Sequence, residues 1–291
     1  MNWIIAMRQF RHHLAALMMV GLTACGGGGG GGSESAPAPS NAQPPAPPPI
    51  PVNDPPTPSG LEINILALVT TSAAGLYPDP ALRVAHLVAV ANDVLTSDGI
   101  AMQFILADFR QVDYADGTDT PTALEDLTLG NDPSLNAVRG WRDDAGADLV
   151  VMLRPYVNDG YCGFAWVGGH GTNGDFSNPA EADYGYSVVA IDCSDYVLLH
   201  ELGHNLGLAH SRRADPDGGS FSYGAGYGID NDFTTVMALP GNFNATQLPT
   251  LSSPALNCRG EPCGISHTDP VNGADAIRAL QATMNAVAAY R

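Results

Sequence analysis

The sequence predicts an α/β fold in which a mostly parallel sheet is covered by helices and followed by a smaller loop-rich region that ends in a helix. Three observations predict this arrangement. Strand-like apolar segments alternate with helical segments between residues 61 and 210, as in parallel sheets. Proline, glycine and asparagine fill much of 211–264, which predicts loops there. The pattern of 272–290 predicts a closing helix.

Each element of the first part is predicted from local patterning. Apolar runs, alternating or continuous, predict four strands, at 61–70, 100–114, 147–155 and 186–192. Helical segments are predicted at 79–97, which Gly99 ends, and in two stretches from Pro121 and Pro133 to about Asp144, with Thr120 and Asp132 as candidate N-caps. A helix that carries histidines follows the last strand directly.

The charge of the chain excludes one class of partner. Among 291 residues there are 30 Asp and Glu and 12 basic residues, all of them arginine, for a net charge of −18. Nucleic-acid binding depends on cationic contacts to phosphate, so a polyanion partner is not expected. The length suits one or two domains, and we expect one domain over 61–291, with a monomer favoured.

The N-terminus has the features of an export signal. Arg8 and Arg11 precede the apolar run 14–22, which is too short to span a membrane. The run ends in Leu-Thr-Ala-Cys, which resembles the lipobox of bacterial lipoproteins and implies cleavage before Cys25 and a lipid on its sulfur. We therefore expect a lipoprotein signal peptide at 1–24. An ordinary secretory signal that is cleaved nearby is the alternative.

A flexible tether is predicted between this signal and the domain. Seven glycines are followed by a stretch dominated by proline, alanine and serine, so 25–60 lacks the apolar residues of a core. We expect the mature protein to be exported and lipid-anchored to the bacterial cell envelope. The residue after Cys25 is Gly26 rather than the aspartate linked to inner-membrane retention, which favours the outer membrane.

The four remaining cysteines predict disulfide bonds, because an even number of cysteines in an exported chain is typical of them. Four cysteines allow three pairings. Cys258 and Cys263 flank a turn-like Arg-Gly-Glu-Pro loop, so we pair them, and we pair Cys162 with Cys193. The alternative is that one thiolate ligates a metal and keeps the protein latent.

The segment Leu-Leu-His-Glu-Leu-Gly-His-Asn-Leu-Gly-Leu-Ala-His predicts a metal centre. Residues four apart share a helical face, so His200 and His204 can point at one ion, and Glu201 can hold a water beside it. Gly207 tolerates left-handed dihedral angles, so a turn there can return His210 as a third ligand. Three neutral imidazoles leave one tetrahedral position for water, as in catalytic zinc sites.

The histidine segment has alternatives to a catalytic zinc site. A buried structural helix would have to bury three imidazoles and a carboxylate without partners, which is costly. A purely structural zinc site is disfavoured because no cysteine lies at ligand spacing. Imidazoles also bind other transition metals, so zinc is the favoured ion rather than the only one. A binding module that keeps the metal without turnover is a further alternative, although such a module would not need Glu201.

The motif His-Glu-x-x-His-x-x-Gly-x-x-His resembles the signature of the metzincins, which are zinc endopeptidases. The surrounding segments resemble bacterial reprolysin-like proteases, including the peptidyl-Asp metalloendopeptidases. The resemblance implies a metzincin-like fold with a mixed, mostly parallel sheet, an antiparallel edge strand, an active-site helix and a smaller C-terminal subdomain. It implies zinc on His200, His204 and His210, with Glu201 as the general base for hydrolysis of peptide bonds in proteins.

The resemblance also implies roles for residues outside the motif. Met237, in Thr-Thr-Val-Met-Ala, would form an apolar floor beneath the zinc. The substrate would lie along an edge strand, for which 186–192 is the candidate, and 238–243 would form a wall of the pocket past the scissile bond.

Weaker signals remain open. The acidic segments 214–219 and 228–233 are candidates for calcium binding through loop oxygens or, more simply, for solvated turns. His170 and His267 are candidates for a second metal or for the surface. The pair Arg212–Arg213 would meet an acidic substrate side chain or lie in a solvated turn.

Overall fold

The computed structural model describes residues 60–291. The predicted signal peptide, Cys25 and the tether up to Ser59 lie outside the described residues. Five strands form the central sheet: β1 (Leu61–Thr70), β2 (Met102–Val112), β3 (Leu149–Arg154), β4 (Gly163–Ala165) and β5 (Tyr186–Ala190). Their order is β2-β1-β3-β5-β4, and only β4 runs antiparallel to its neighbour. The predicted α/β fold with a mostly parallel sheet is therefore confirmed.

The helices cover both faces of this sheet. They are α1 (Thr71–Ala74), α2 (Pro80–Ser97), α3 (Thr120–Leu129), α4 (Val138–Asp144), α5 (Val197–Asn205) and α6 (Ala276–Val287), with short 3₁₀ turns at Pro133–Leu135, Pro179–Tyr184 and Pro240–Asn242. Side chains of β1 alternate between the two layers. Ile63 and Ile65 pack in the core that contains α2, α5 and α6, whereas Leu66 and Leu68 pack in the core that contains α3 and α4.

The strand predicted at the edge of the sheet is not an edge strand. β5 pairs with β3 on one side and with β4 on the other, so the prediction that 186–192 forms the edge was wrong. The edge is β4, whose three residues were too few to show a strand pattern. β4 lies there because Ala190 donates its backbone N–H to the Cys162 carbonyl at 2.7 Å and continues the pairing past Gly163.

Two smaller details of the helices also differ from the prediction. The N-cap of α3 is Asp119 rather than Thr120, because the Asp119 carboxylate accepts the N–H of Thr122 at 2.8 Å. The apolar residues Leu82, Leu87, Val90, Val94 and Leu95 predict the amphipathic pattern of α2, but Leu82 is exposed. The buried face is formed by Val84, Leu87, Val88, Ala91, Val94 and Leu95. Asp132 caps its turn as predicted.

The region after α5 contains little regular structure, as its composition predicts. Its strands are two residues long: β6 (Gly228–Ile229), β7 (Phe233–Thr234), β8 (Thr246–Gln247), β9 (Asn257–Cys258) and β10 (Glu261–Pro262). The closing helix α6 begins after its N-cap Asp275 and packs into the main core. None of the helices within 60–291 is long and apolar enough to cross a membrane.

Both predicted disulfide bonds are formed, Cys162–Cys193 and Cys258–Cys263. The first joins the residue before β4 to the loop that leads into α5. The second closes the β9–β10 hairpin. Since all four described cysteines are paired, no free thiolate among them can serve as a metal ligand.

Candidate metal centre

The helix α5 is held in the interior of the protein along its whole length. All nine of its residues are buried, and Leu198, Leu199 and Leu202 belong to the main hydrophobic core. This packing fixes the rotation of the helix about its axis. As a result His200 and His204, one turn apart, project from the same face.

The helix ends because the backbone turns at Gly207. Gly207 has φ +91°, and its N–H bonds the His204 carbonyl while Leu208 N–H bonds the Gly203 carbonyl, as in a Schellman motif. A Cβ at this position would lie 2.7 Å from the Ser220 Cβ. Glycine is therefore required by both dihedral angle and space. The turn redirects the chain so that His210 approaches the two helical histidines.

The three imidazoles converge through their Nε2 atoms. The Nε2–Nε2 distances are 3.2 Å between His200 and His204, 3.3 Å between His204 and His210, and 3.1 Å between His200 and His210. Ligands at 2.0–2.1 Å from a tetrahedral zinc ion lie about 3.3 to 3.4 Å apart. The observed triangle is within a few tenths of an ångström of that geometry. These three residues form the one group of potential metal ligands found within 60–291.

The other ring nitrogen of each histidine faces an acceptor. His200 Nδ1 donates to the Val236 carbonyl and His204 Nδ1 donates to the Leu208 carbonyl, both at 2.8 Å. His210 Nδ1 lies 2.8 Å from Asp215 Oδ2, a contact with the distance of an ion pair but not the direction of a good hydrogen bond. Protons on Nδ1 leave the Nε2 lone pairs facing the shared centre, where a cation would relieve their repulsion.

Burial keeps the rings of His200 and His204 neutral, as metal ligation requires. Desolvation and, after it, the charge of a protonated His210 lower the pKa of His200 to about 3. The same two causes lower the pKa of His204 well below its usual value. The donor set, its spacing and the neutral state of the two helical histidines therefore all fit a transition-metal ion.

Asp215 is a residue of this centre that the sequence analysis did not assign. It also accepts the backbone N–H of His210 at 3.0 Å. Burial alone would raise the pKa of Asp215, but its contacts with His210 hold the pKa below the usual value. The sequence placed Asp215 in a candidate calcium segment, and no local pattern distinguishes it from the exposed Asp217 nearby.

Met237 lies against the helix between the two helical ligands. It is fully buried, and a Cβ on Gly203 would lie 2.8 Å from the Met237 sulfur. The preceding residue, Val236, supplies the carbonyl that orients His200. The loop around Met237 therefore contacts both the helix and a ligand, while its role as a floor beneath a metal stays a prediction.

Glu201 lies against the edge strand of the sheet. Its side chain is buried, and a Cβ on Gly163 would lie 2.4 Å from Glu201 Oε1, so any larger residue at this point of β4 would displace the Glu201 side chain. Burial raises the pKa of Glu201 well above the usual carboxyl value. The Cys162–Cys193 disulfide begins at the residue before Gly163 and thus holds this contact in place. Gly163 was not foreseen, because its significance depends on a contact distant in sequence.

The calcium prediction is not supported. Three of the four carboxylates in the two acidic segments have other partners: Asp215 contacts His210, Asp230 pairs with Arg213, and Asp232 pairs with Arg259. The fourth, Asp217, is exposed. The candidate second-metal histidines also lie apart from any described ligand cluster. His170 is exposed, and His267 lies 3.8 Å from Asp275 beside the ring of Tyr223.

Comparisons with known proteins identify the family. The family model described as metallo-peptidase family M12B, reprolysin-like, matches residues 67–268. A curated relative from Pseudomonas aeruginosa, named peptidyl-Asp metalloendopeptidase, is 29% identical over 253 residues, which cover 80% of this chain and 41% of the relative. A relative of the same name from Xanthomonas campestris is 28% identical over 232 residues, which cover 79% of this chain and 52% of the relative.

The chain thus spans about half the length of these curated relatives. A solved structure described as a chaperone-substrate complex aligns with a TM-score of 0.61 and 20% identity, over 80% of this chain and 39% of that chain, which shows a shared fold. The family model covers most of the chain, including the three histidines, Glu201 and Met237. The chain belongs to the reprolysin-like M12B family of metallopeptidases.

Proposed function

We propose that the chain is a zinc-dependent endopeptidase. The observation that carries the proposal is the triangle of three converging Nε2 atoms, together with the buried carboxyl group of Glu201, the residue after His200 on the same helix. His200, His204 and His210 would hold the ion, leaving its fourth side open for water and substrate. A structural zinc site would more commonly be closed by four protein ligands, which disfavours a purely structural role.

The chemistry is divided between the ion and the protein. A bound zinc ion supplies Lewis acidity, which makes a water ligand more acidic and polarises a carbonyl group. Glu201 would accept a proton from the attacking water and deliver it to the leaving amine. The positive charge of the site favours the carboxylate form of Glu201, and the contact with Gly163 keeps its side chain beside the reacting atoms.

The substrate backbone would pair with β4. β4 is the last strand of the central sheet, and Gly163 of this strand touches Glu201. An extended peptide that adds to this edge would therefore pass beside the base and the metal ligands. This proposal replaces 186–192, which is paired on both sides, as the substrate-binding strand.

The experiment that tests the function is hydrolysis of casein by the zinc-loaded chain, with and without a chelator. We expect cleavage that the chelator stops and that added zinc restores. Metal analysis of the purified chain should give one zinc per molecule. Zinc binding without cleavage of any protein would contradict the proposal and support a binding module instead.

The names of the relatives suggest a substrate class. Both are called peptidyl-Asp metalloendopeptidases. We propose that this chain also cleaves beside acidic residues in its protein substrates. Peptide products identified by mass spectrometry should then share an aspartate on one side of the broken bond, whereas products without a common residue would contradict it.

We also propose that Cys25 is lipid-modified after cleavage at 24 and anchors the protein in the cell envelope, with the outer membrane favoured. The support is the sequence Leu22–Cys25 after a short apolar run. Mass spectrometry of the mature N-terminus should find lipid on Cys25, and Cys25→Ala should abolish it. An unmodified N-terminus at another residue would support the secretory alternative.

A further inference from the structure

A small cavity is lined by the residues that directly follow the third metal ligand. Its volume is about 180 Å³, below the ~300–1,000 Å³ of sites for whole small molecules, so it suits a single side chain. One wall is Ser211–Arg213, which follows the ligand His210. The opposite wall includes Gly226, where a Cβ would lie 2.5 Å from the Met237 carbonyl carbon. The cavity therefore lies between the segment that follows the third ligand and a glycine that packs against the Met237 loop.

The polar groups of this cavity suit an anion. Arg212, Arg213, Ser211 and Asn272 line it, and none of its described lining residues is acidic. The chain carries a large excess of acidic residues, with a net charge of −18. Two arginines thus line this cavity, with no carboxylate among its lining residues, although the chain as a whole is acidic.

The two arginines of the cavity differ in their pairing. Arg213 forms a two-pronged ion pair with Asp230, and its guanidinium lies 4.0 Å from the Phe243 ring centroid. Arg212 instead donates Nε to the Gly273 carbonyl at 3.2 Å and Nη1 to the Pro216 carbonyl. These carbonyls orient its guanidinium but carry no full negative charge.

Arg212 and its neighbour also carry unsatisfied polar atoms. Arg212 Nη2 and Ser211 Oγ are both shielded from solvent and have no hydrogen-bond partner among the described residues. Ser211 is only 3% exposed. Leaving a buried donor without a partner raises the free energy of the protein, so this wall of the cavity has hydrogen-bonding capacity that the described residues leave unused. The exposed carboxylate of Asp269 accepts the backbone N–H groups of Asn272 and Val271 instead of pairing with Arg212. These hydrogen bonds are the main cause that lowers the pKa of Asp269, and the charge of Arg212 lowers it slightly further.

We infer that this cavity, the Arg212 pocket (lined by Ser211, Arg212, Gly226 and Phe243, among others), receives an acidic side chain of the substrate next to the scissile bond. Arg212 is the specificity-determining residue, because its charge is unpaired in the described structure. Arg213 shapes the pocket wall, because Asp230 already neutralises it. This inference rests on the proposed endopeptidase function and names the residue that selects the substrate.

The test uses two quenched fluorescent peptides that differ only in one aspartate, which the second peptide replaces with asparagine. For the zinc-loaded chain we expect kcat/KM to be at least about tenfold higher with aspartate, since the charge-assisted contact is lost with the amide. Mass spectrometry establishes that both peptides break at the same bond. Equal kcat/KM values would overturn the inference without any variant.

Three variants then identify which arginine produces the preference for aspartate over asparagine. Arg212→Gln should bring the aspartate-to-asparagine ratio to within about threefold of one, whereas Arg213→Gln should leave the ratio high. Arg212→Lys keeps the charge and should retain a preference for aspartate, which guards against a folding defect in the glutamine variant. Arg139→Gln, on a distant exposed arginine paired with Asp183, is the control for altered surface charge.

The outcomes distinguish a failure of the Arg212 pocket from a failure of the proposed endopeptidase function. An unchanged ratio in Arg212→Gln, or a ratio lost only in Arg213→Gln, would overturn the role of Arg212. Cleavage of both peptides without preference would overturn the pocket but leave the endopeptidase function standing. No cleavage of either peptide or of casein by the zinc-loaded chain would overturn the function and this inference together.

Discussion

Two regions of the molecule build one centre in different ways. The sheet region, 61–205, supplies two ligands and Glu201 from a buried helix, together with the edge strand beside them. The loop region, 206–291, supplies His210, Asp215, the Val236 carbonyl and the Arg212 pocket from short turns. The sheet region is positioned by a continuous apolar core. The loop region adds α6 and the Met237 loop to the same core, but its turns are positioned by individual glycines, backbone hydrogen bonds and one short-range disulfide.

The comparison suggests a division of roles. A helix fixed by a core holds groups at set spacing, which suits the base and the first two ligands. Loops accommodate a change of sequence more easily than a core does, so they suit the residues that select a substrate. The site depends on both regions, and variants in each should fail in different ways.

The largest expected effect comes from Glu201, the proposed base in the sheet region. Glu201→Gln should lower kcat by about 10²- to 10⁴-fold, because the amide cannot accept the proton from water. The three histidines are untouched, so zinc content should stay at that of the unmodified chain. Glu125→Gln, on an exposed position of α3, is the matched control and should keep full activity. Full activity in Glu201→Gln would exclude it as the base.

The next largest effect compares the two disulfides. Cys162 and Cys193 are 31 residues apart, whereas Cys258 and Cys263 are 5 apart. Loop-closure entropy predicts that replacing the first pair with serines costs about 3–4 kcal/mol and replacing the second costs about 2 kcal/mol. Urea unfolding of the two double variants measures the difference. A larger loss from the second pair would show that the short loop depends on its disulfide more than chain entropy explains.

A third prediction concerns the turn that joins the two regions. Gly207→Ala should cost about 1–3 kcal/mol in the free energy of unfolding, because φ is +91° and the new Cβ meets Ser220. It should also weaken zinc binding by displacing His210. Gly140→Ala, in α4 with no atom within 4 Å of the new Cβ, should instead leave stability unchanged or slightly higher. Equal changes in the free energy of unfolding for the two variants would show that the turn at Gly207 does not require glycine.

The smallest effect is expected at Asp215. Asp215→Asn should raise the zinc dissociation constant about 10- to 100-fold, since the amide orients and polarises His210 less well. Asp217→Asn changes an exposed carboxylate of the same turn and controls for the loss of nearby charge. Competition with a chromophoric chelator measures both constants. If both variants bind zinc equally well, the Asp215 contact does not orient the ligand.

The sheet region and the loop region also differ in how much of their structure the sequence predicted. The strand β1, the helix α2 and the spacing of His200, Glu201 and His204 follow from periodic patterns that repeat over many residues. The return of His210 was predicted from one glycine and from the family motif. Both disulfides were predicted from composition and a turn, and both are formed.

What the sequence did not predict depends on contacts between distant residues. The position of β4 at the edge is set by pairing with β5, and three residues carry no strand pattern. Gly163 matters because Glu201 lies against it, and Asp215 matters because His210 turns toward it. None of these contacts has a local signature, so only the folded arrangement distinguishes these residues from others of the same type.

X-ray absorption at the zinc edge of the zinc-loaded chain tests the central claim most directly, because it counts and identifies the atoms around the ion. We predict three imidazole nitrogens and one further oxygen, all at about 2.0–2.1 Å. His210→Ala should remove one nitrogen and leave the two from α5. A sulfur neighbour at about 2.3 Å, or an unchanged nitrogen count in His210→Ala, would contradict the three-histidine centre.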